Sequence, residues 1–335
     1  MHMANELLSA PVAVGTIAAA AGSLWAICRK AKQFITPDKF ALMGVMGAFV
    51  FAAQMVNFQL PLMPGTSGHM VGAVLLAIVL GPHLGTIVIS SVVIVQCLIF
   101  QDGGLLALGC NLINMAIVPS YVGYWLYNLL RGKNANNSKL AYIGGLIACI
   151  AAIETGAVLV PIQAAVSGVL SVPFATFLTT MLGVHLLVGI VEGVITIAVL
   201  GYLHQVRPDI LVNPLQGKTR LSISALTITL AVFAVVIAGG VSLLASSMPD
   251  GLEWSYAERP DQPGFNPIVE NQSAAIEAVD SFHTKYAPMP DYEMKNTETG
   301  WPSFVGIIGS LLTMATIYIA AKLLNKKNIT LEPVR

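Results

Sequence analysis

Hydrophobic positions along the chain fall into long runs rather than into the alternating or one-sided stripes of a water-soluble fold. Stretches of about 20 apolar residues, the length that crosses a hydrocarbon core as a helix, occupy 7–28, 40–58, 69–100, 107–130, 139–163, 174–204, 221–246 and 302–324. The run at 69–100 is broken by "GPHLG" at 81–85, a turn signal between two short helices, so the pattern predicts nine spans. Residues 247–301 differ in kind: they are polar and proline-rich, and they hold ten of the chain's 17 acids. That stretch is too long for an ordinary connection.

The predicted fold class is therefore all-α, a polytopic transmembrane helix bundle. A seven-helix body over 1–212 is followed by a two-helix C-terminal hairpin over 213–335, the division falling at "HQVRPDILVNPLQGKTR", and the acidic segment 247–301 is the hairpin's external insert. Composition agrees, with 56% hydrophobic and only 10% charged residues. The 17 basic and 17 acidic residues balance, which removes any case for a nucleic-acid surface.

The distribution of Lys and Arg orients the bundle. With the N-terminus outside and the C-terminus cytoplasmic, fourteen of the 17 basic residues face the cytoplasm and only Arg259, Lys285 and Lys295 lie outside. The expected location is a bacterial or archaeal plasma membrane, multi-pass in the lipid bilayer. The first basic residue is Arg29, so the start lacks the positive region of a cleavable signal peptide and Met1 is expected to remain. Cys28, Cys97, Cys110 and Cys149 form no CxxC pair and read as small core residues.

Among the histidines, His83 and His204 fall at helix ends and His283 in the acidic insert, where solvated or end-capping roles are expected. His69 stands apart. In "PLMPGTSGHM" Pro64 and Gly65 form a turn, Thr66 or Ser67 can cap a helix, and Gly68 permits close backbone approach, which sets His69 at an external helix start. It is either a ligand or a side chain reaching the interface. The Met1-His2 pair faces the same compartment. A free terminal amine, the His2 amide once deprotonated by a metal, and His2 Nδ1 close fused five- and six-membered chelate rings around one cation. A fourth nitrogen from His69 completes a square plane, which suits Ni(II) or Cu(II) better than Zn(II), Mg(II) or Ca(II).

Other polar groups lie within the apolar runs. Gln54, Asn57 and His185 are candidates to orient the ligand imidazoles, with Ser67 beside them. His185 and Glu192, seven residues apart, share a helix face and fit either a proton relay or a packing network.

Four stretches together resemble one family. These are the initial "MH", "FVFAAQMVNFQLPLMPGTSGHMVG" at 49–72, "DGGLLALGCNLINMA" at 102–116 and "GVHLLVGIVEGVIT" at 183–196. Residues 1 to about 212 resemble the CbiM/NikM family, the substrate-specificity subunits of nickel and cobalt energy-coupling factor transporters. "MPDGLEW" at 248–254 resembles the PDGLE segment of the accessory N-type component, here fused behind the body. The resemblance implies a seven-helix metal-binding body with ligands at Met1, His2 and His69, Ni(II) or Co(II) as cargo, and no prosthetic group. It further implies a membrane coupling protein and a cytoplasmic ATPase pair as partners, since this chain has no GxxxxGK[ST] phosphate loop. One departure stands out: family members continue Met-His-Ile with Pro-Asp-Gly or Met-Glu-Gly, whereas this chain reads Met3-Ala4-Asn5-Glu6.

The expectation is a transport subunit and not an enzyme. An intramembrane enzyme built on His185 and Glu192 would lack a nucleophile or an HExxH arrangement. A haem carrier would need histidines facing each other at one depth. The nearer rival is a self-driven secondary transporter.

Overall fold

A computed structural model describes residues 1–132, 138–211, 214–215, 217–256, 274–294 and 301–325. Each of the nine predicted segments contains a helix. They are α1 (Ala10–Ala31), α2 (Pro37–Gln54), α3 (Ala73–Leu80), α4 (Pro82–Phe100), the stretch α5 (Leu108–Asn111) to α6 (Val118–Arg131), α7 (Ser138–Ser167), α8 (Phe174–Val206), α9 (Ile223–Gly239) and α12 (Pro302–Asn325). Among the described residues, six helical segments are long and apolar enough to cross a membrane, including those starting at Ala10, Ser138 and Pro302.

The expectation of nine full spans needs correction at α3. Its eight residues rise about 12 Å, less than half a hydrocarbon core. The chain ahead of it makes up the distance. After α2 it forms a two-residue hairpin, β1 (Phe58–Gln59) antiparallel to β2 (Ser67–Gly68), and then runs inward through 69–72 before α3 begins. Irregular backbone at this depth needs protein partners, and residues 66–72 are all buried.

Local sequence sets several helix boundaries. Thr36 accepts from Lys39 N at 3.3 Å ahead of Pro37, and Ser222 accepts from Ala225 N at 3.1 Å, both side-chain N-caps. Between α5 and α6, Leu112–Ile117 widens into a π turn, a departure common at functional positions. It holds Asn114 and follows directly on Asn111.

The C-terminal hairpin does not stand apart from the body. Helices α9 and α12 pack on α2, which is itself buried along most of its length. Of the acidic insert, α10 (Gly251–Tyr256) and α11 (Ala274–Tyr286) are described, and α10 packs against α8. Glu258, Asp261, Glu270 and Glu298 lie outside the described residues. All four cysteines are free, and three are buried.

Candidate metal centre

The first three residues are buried, and their backbone is held by groups far along the chain. Met3 N donates to Asn111 Oδ1 at 2.7 Å, while Met3 O accepts from Asn111 Nδ2 at 3.2 Å and from Gly104 N at 2.8 Å. Asn5 is the second anchor. Its Oδ1 accepts from Leu106 N at 2.7 Å and from Ala107 N at 3.2 Å, and its Nδ2 donates to Asp280. A Cβ on Gly104 would strike Asn5, so only glycine allows the leading segment this close. The residues that replace the usual turn sequence therefore supply the docking contact themselves.

The loop carrying His69 is held from below. Gln54 Nε2 donates to Val71 O at 2.6 Å, and Glu192 accepts from Val71 N at 2.5 Å and from Gly72 N at 3.1 Å. Gly72 has φ +79°, a left-handed conformation that glycine adopts without strain, and the Glu192 carboxylate takes the place of a side-chain cap at the start of α3. The expected capping role of Ser67 is not what the structure shows. Ser67 lies in β2, its N–H donates to Pro249 O at 2.8 Å, and its hydroxyl donates to Met248 O at 2.7 Å. The cap expectation failed because the helix starts six residues later, after chain that has first to descend into the bundle.

These two supports bring three predicted groups together. The Met1 amine nitrogen lies 3.4 Å from His69 Nε2, and the His2 and His69 rings stack with centroids 5.5 Å apart and planes 21° from parallel. His69 Nδ1 is 3.0 Å from Met70 O, which suits an Nδ1–H donor and leaves the Nε2 lone pair facing the amine. Burial, then the positive charges of the terminal amine and His2, lower the His69 pKa to about 4. It is a neutral imidazole at neutral pH.

Two carboxylates complete the surroundings. Asp250 Oδ2 is 2.6 Å from the amine, and Asp102 Oδ1 is 2.9 Å from His2 Nδ1. Burial opposes ionisation of both. It is outweighed at Asp102 by the charge of His2 and by hydrogen bonds from His2 and Tyr292, which bring its pKa down to about 2. At Asp250 the amine and His69 hold the carboxyl well below the usual range. His2 Nε2 lies 3.3 Å from Gln96 Oε1, and Tyr292 joins Gln96 to Asp102, its hydroxyl accepting from Gln96 Nε2 at 3.1 Å and donating to Asp102 Oδ2 at 2.5 Å. The His2 ring thus sits inside a closed circuit of hydrogen bonds, with Nδ1 turned toward Asp102.

Among the described residues no group of three or more His, Cys, Asp or Glu side chains is set to hold a metal ion. Above these groups opens a cavity of about 620 Å³ lined by His2, His69, Asp102, Asp250, Glu253 and Asp280, among others.

The residues expected to orient the imidazoles do other work. Gln54 holds the His69 loop through Val71 rather than through a ring. Asn57 lines the cavity, with its side-chain oxygen buried and unpaired. His185 hydrogen-bonds Met181 O at 2.8 Å and lines a small void with Met1 and His69. No hydrogen bond joins His185 to Glu192 among the described residues, so the two form no direct relay. His283 also departs from expectation: it is buried, with Nε2 2.7 Å from Cys97 O, which fastens α11 to α4. Nothing in the sequence connects Gln96, Asp102 or Asp250 with the chain start, although Asp102 heads "DGGLLALGCNLINMA" and Asp250 lies within "MPDGLEW". A carboxylate beside the "GG" of 103–104 was the one local signal available.

Comparison with known proteins finds relatives for both parts of the chain. The family described as "Cobalt uptake substrate-specific transmembrane region" matches residues 2–210, and the "PDGLE domain" matches residues 224–326. A putative fused nickel transport protein, NikMN of Archaeoglobus fulgidus, is 33% identical over 82% of this chain and 83% of its own length. A probable fused nickel transport protein, LarMN of Lactiplantibacillus plantarum, is 32% identical over 95% of both chains. A cobalt transport protein, CbiM of Geobacter sulfurreducens, is 27% identical over 71% of this chain and 72% of its own. Among solved structures, a transition metal transporter is 30% identical with a TM-score of 0.53, covering 61% of this chain and 92% of that one.

Proposed function

The chain belongs to the cobalt-uptake substrate-specific transmembrane family, joined to a PDGLE domain, and on that premise we propose that it is the ion-capturing membrane subunit of an ATP-driven importer for Ni(II) or Co(II). The observation that carries the reading is the burial of the terminal amine 3.4 Å from the free nitrogen of His69, with the His2 ring stacked alongside.

An incoming dication exchanges its waters for the Met1 amine, the deprotonated His2 amide, His2 Nδ1 and His69 Nε2. The amine, the amide and His2 Nδ1 each give up one proton to water, and the His2 ring swings Nδ1 away from Asp102 to the ion. The planar nitrogen set favours Ni(II), and Co(II) is the second cargo. Because Cu(II) binds such nitrogens more tightly still, a site held by fixed protein groups on every side has to reject it through geometry.

Capture takes place on the outer face of the plasma membrane, with the N-terminus outside. The chain has no phosphate loop of its own, so a membrane coupling protein and a cytoplasmic ATPase pair supply the energy for delivery inward. Two measurements test this. Purified protein with a free N-terminus takes up one Ni(II) and shows the visible absorption of a planar nitrogen complex, and an octahedral spectrum would contradict the site. Proteoliposomes accumulate the ion only when the ATPase and coupling subunits are present, whereas accumulation by this chain alone would favour a self-driven carrier.

A further inference from the structure

The PDGLE part of the chain reaches the metal centre of the other part. Pro249 and Asp250 lie alongside β2: Ser67 N donates to Pro249 O at 2.8 Å, and Ser67 pairs with Asp250 in a parallel bridge. This short backbone splice ends two residues before His69. Asp250 Oδ1 accepts from the backbone N–H groups of Leu252 and Glu253 at 2.8 and 2.9 Å, which fixes the carboxylate, and Oδ2 is left to meet the Met1 amine at 2.6 Å. The side chain is 16% exposed and lines the wide external cavity, while the Met1 side chain is only 3% exposed and Met1 does not line that cavity. Asp250 therefore stands between the cavity and the amine.

Charge bookkeeping gives this position a consequence. Without metal, the carboxylate faces one positive charge, the ammonium. With a dication on the neutral amine, one deprotonated amide and two neutral imidazoles, the complex also carries one positive charge. The two end states draw on Asp250 about equally. Between them a hydrated dication meets an amine that still holds its proton, and three positive charges share one place. A carboxylate there lowers the energy of that encounter far more than it alters either end state, as charges at binding surfaces generally act on rates before affinities.

Resting on the metal-capture reading above, we propose that Asp250 is the carboxylate through which the divalent ion reaches and leaves the terminal amine, so that the PDGLE part sets the rate of metal exchange and not the affinity. In the exchange, metal–water bonds break and metal–nitrogen bonds form. The protons of the amine, the amide and His2 Nδ1 pass to water in the cavity, and Asp250 ends paired with the complex instead of with the ammonium.

The test uses the full chain with a free N-terminus and Ni(II) alone, loading followed by stopped-flow absorbance and release followed with an external chelator. Asp250→Asn slows both loading and release by about 10-fold, at the lower end of what a focused charge does to an on-rate, while the equilibrium constant stays within about threefold. Asp250→Glu, which keeps the charge, retains rates near the wild type. Asp250→Ser gives a second reading of the lost charge if the asparagine variant does not fold. Unchanged rates in the neutral variants, or a weakened equilibrium constant with loading still fast, overturns the proposal. If wild-type protein takes up no Ni(II), the capture reading fails and the proposal falls with it; normal wild-type loading with equally fast neutral variants removes the role of Asp250 alone.

Discussion

Asn5 carries the approach of Met1 and His2 on one side chain, because its carbonyl is the acceptor for both Leu106 N and Ala107 N. Truncation leaves two backbone donors without that partner, a cost of about 1–3 kcal/mol for a buried group. Asn5→Ala is therefore expected to loosen the first residues and weaken Ni(II) binding while the helices remain. Protease cleavage near residue 5, measured beside a binding isotherm, checks both effects. Gln96 meets His2 Nε2, the ring nitrogen that the metal does not take, and Gln96→Ala should weaken metal binding by about 10- to 100-fold, the range for groups that orient a ligand imidazole. An unchanged isotherm would show that the 3.3 Å contact with His2 Nε2 does not matter once metal is bound. His2 and His69 were legible in the sequence because imidazoles at an exposed chain start and beside a turn have few other uses. The role of Asp250 was not, since the "MPDGLEW" motif marks the residue but not its partner, which it meets from 249 residues away.

One carboxylate on α8 governs how the element carrying His69 is built. Glu192 takes both Val71 and Gly72 N–H groups and so begins α3 inside the bundle. Glu192→Ala strands two buried donors, each worth about 1–3 kcal/mol. The variant is expected to lose thermal stability and to bind Ni(II) poorly through displacement of His69. Glu192→Gln keeps an acceptor oxygen and should recover part of both, and a glutamine as damaged as the alanine would place the role in charge instead. At this scale hydrophobic run length located every long helix. It misjudged the region from 55 to 72 because apolarity is the same whether a segment crosses the membrane or folds back into protein. The same limit explains Ser67: a serine near a helix start reads as a cap, and only the position of the PDGLE segment shows that its partners are Met248 and Pro249.

Across the whole molecule, the two family segments share one core and one site. With α9 and α12 packed on α2 and α10 on α8, Asp250 meets the Met1 amine and Tyr292 meets Asp102, the partner of His2. The acidic insert was visible as a compositional break, but its direct contact with the terminal amine lies in tertiary structure alone. The buried, neutral His69 also gives the molecule a pH dependence. Its folded pKa of about 4 lies below the ordinary value of 6.5. The unfolded chain therefore binds a proton that the folded one refuses as pH falls from 6.5 toward 4, and stability declines through that window. Metal-free protein in detergent should melt at a lower temperature at pH 5 than at pH 7, and His69→Gln should flatten that difference; equal slopes would assign the dependence to other groups.

The central claim is that the first nitrogen of the chain is a metal ligand. It is tested most directly by comparing Ni(II) and Co(II) binding to protein with a free Met1 amine and to protein lengthened by one residue ahead of Met1. Extension turns that amine into an amide and fills the space 3.4 Å from His69 Nε2. The account predicts one tightly bound ion for the free terminus and loss of tight binding on extension, with the helical fold retained. Equal loading of the two proteins would contradict it.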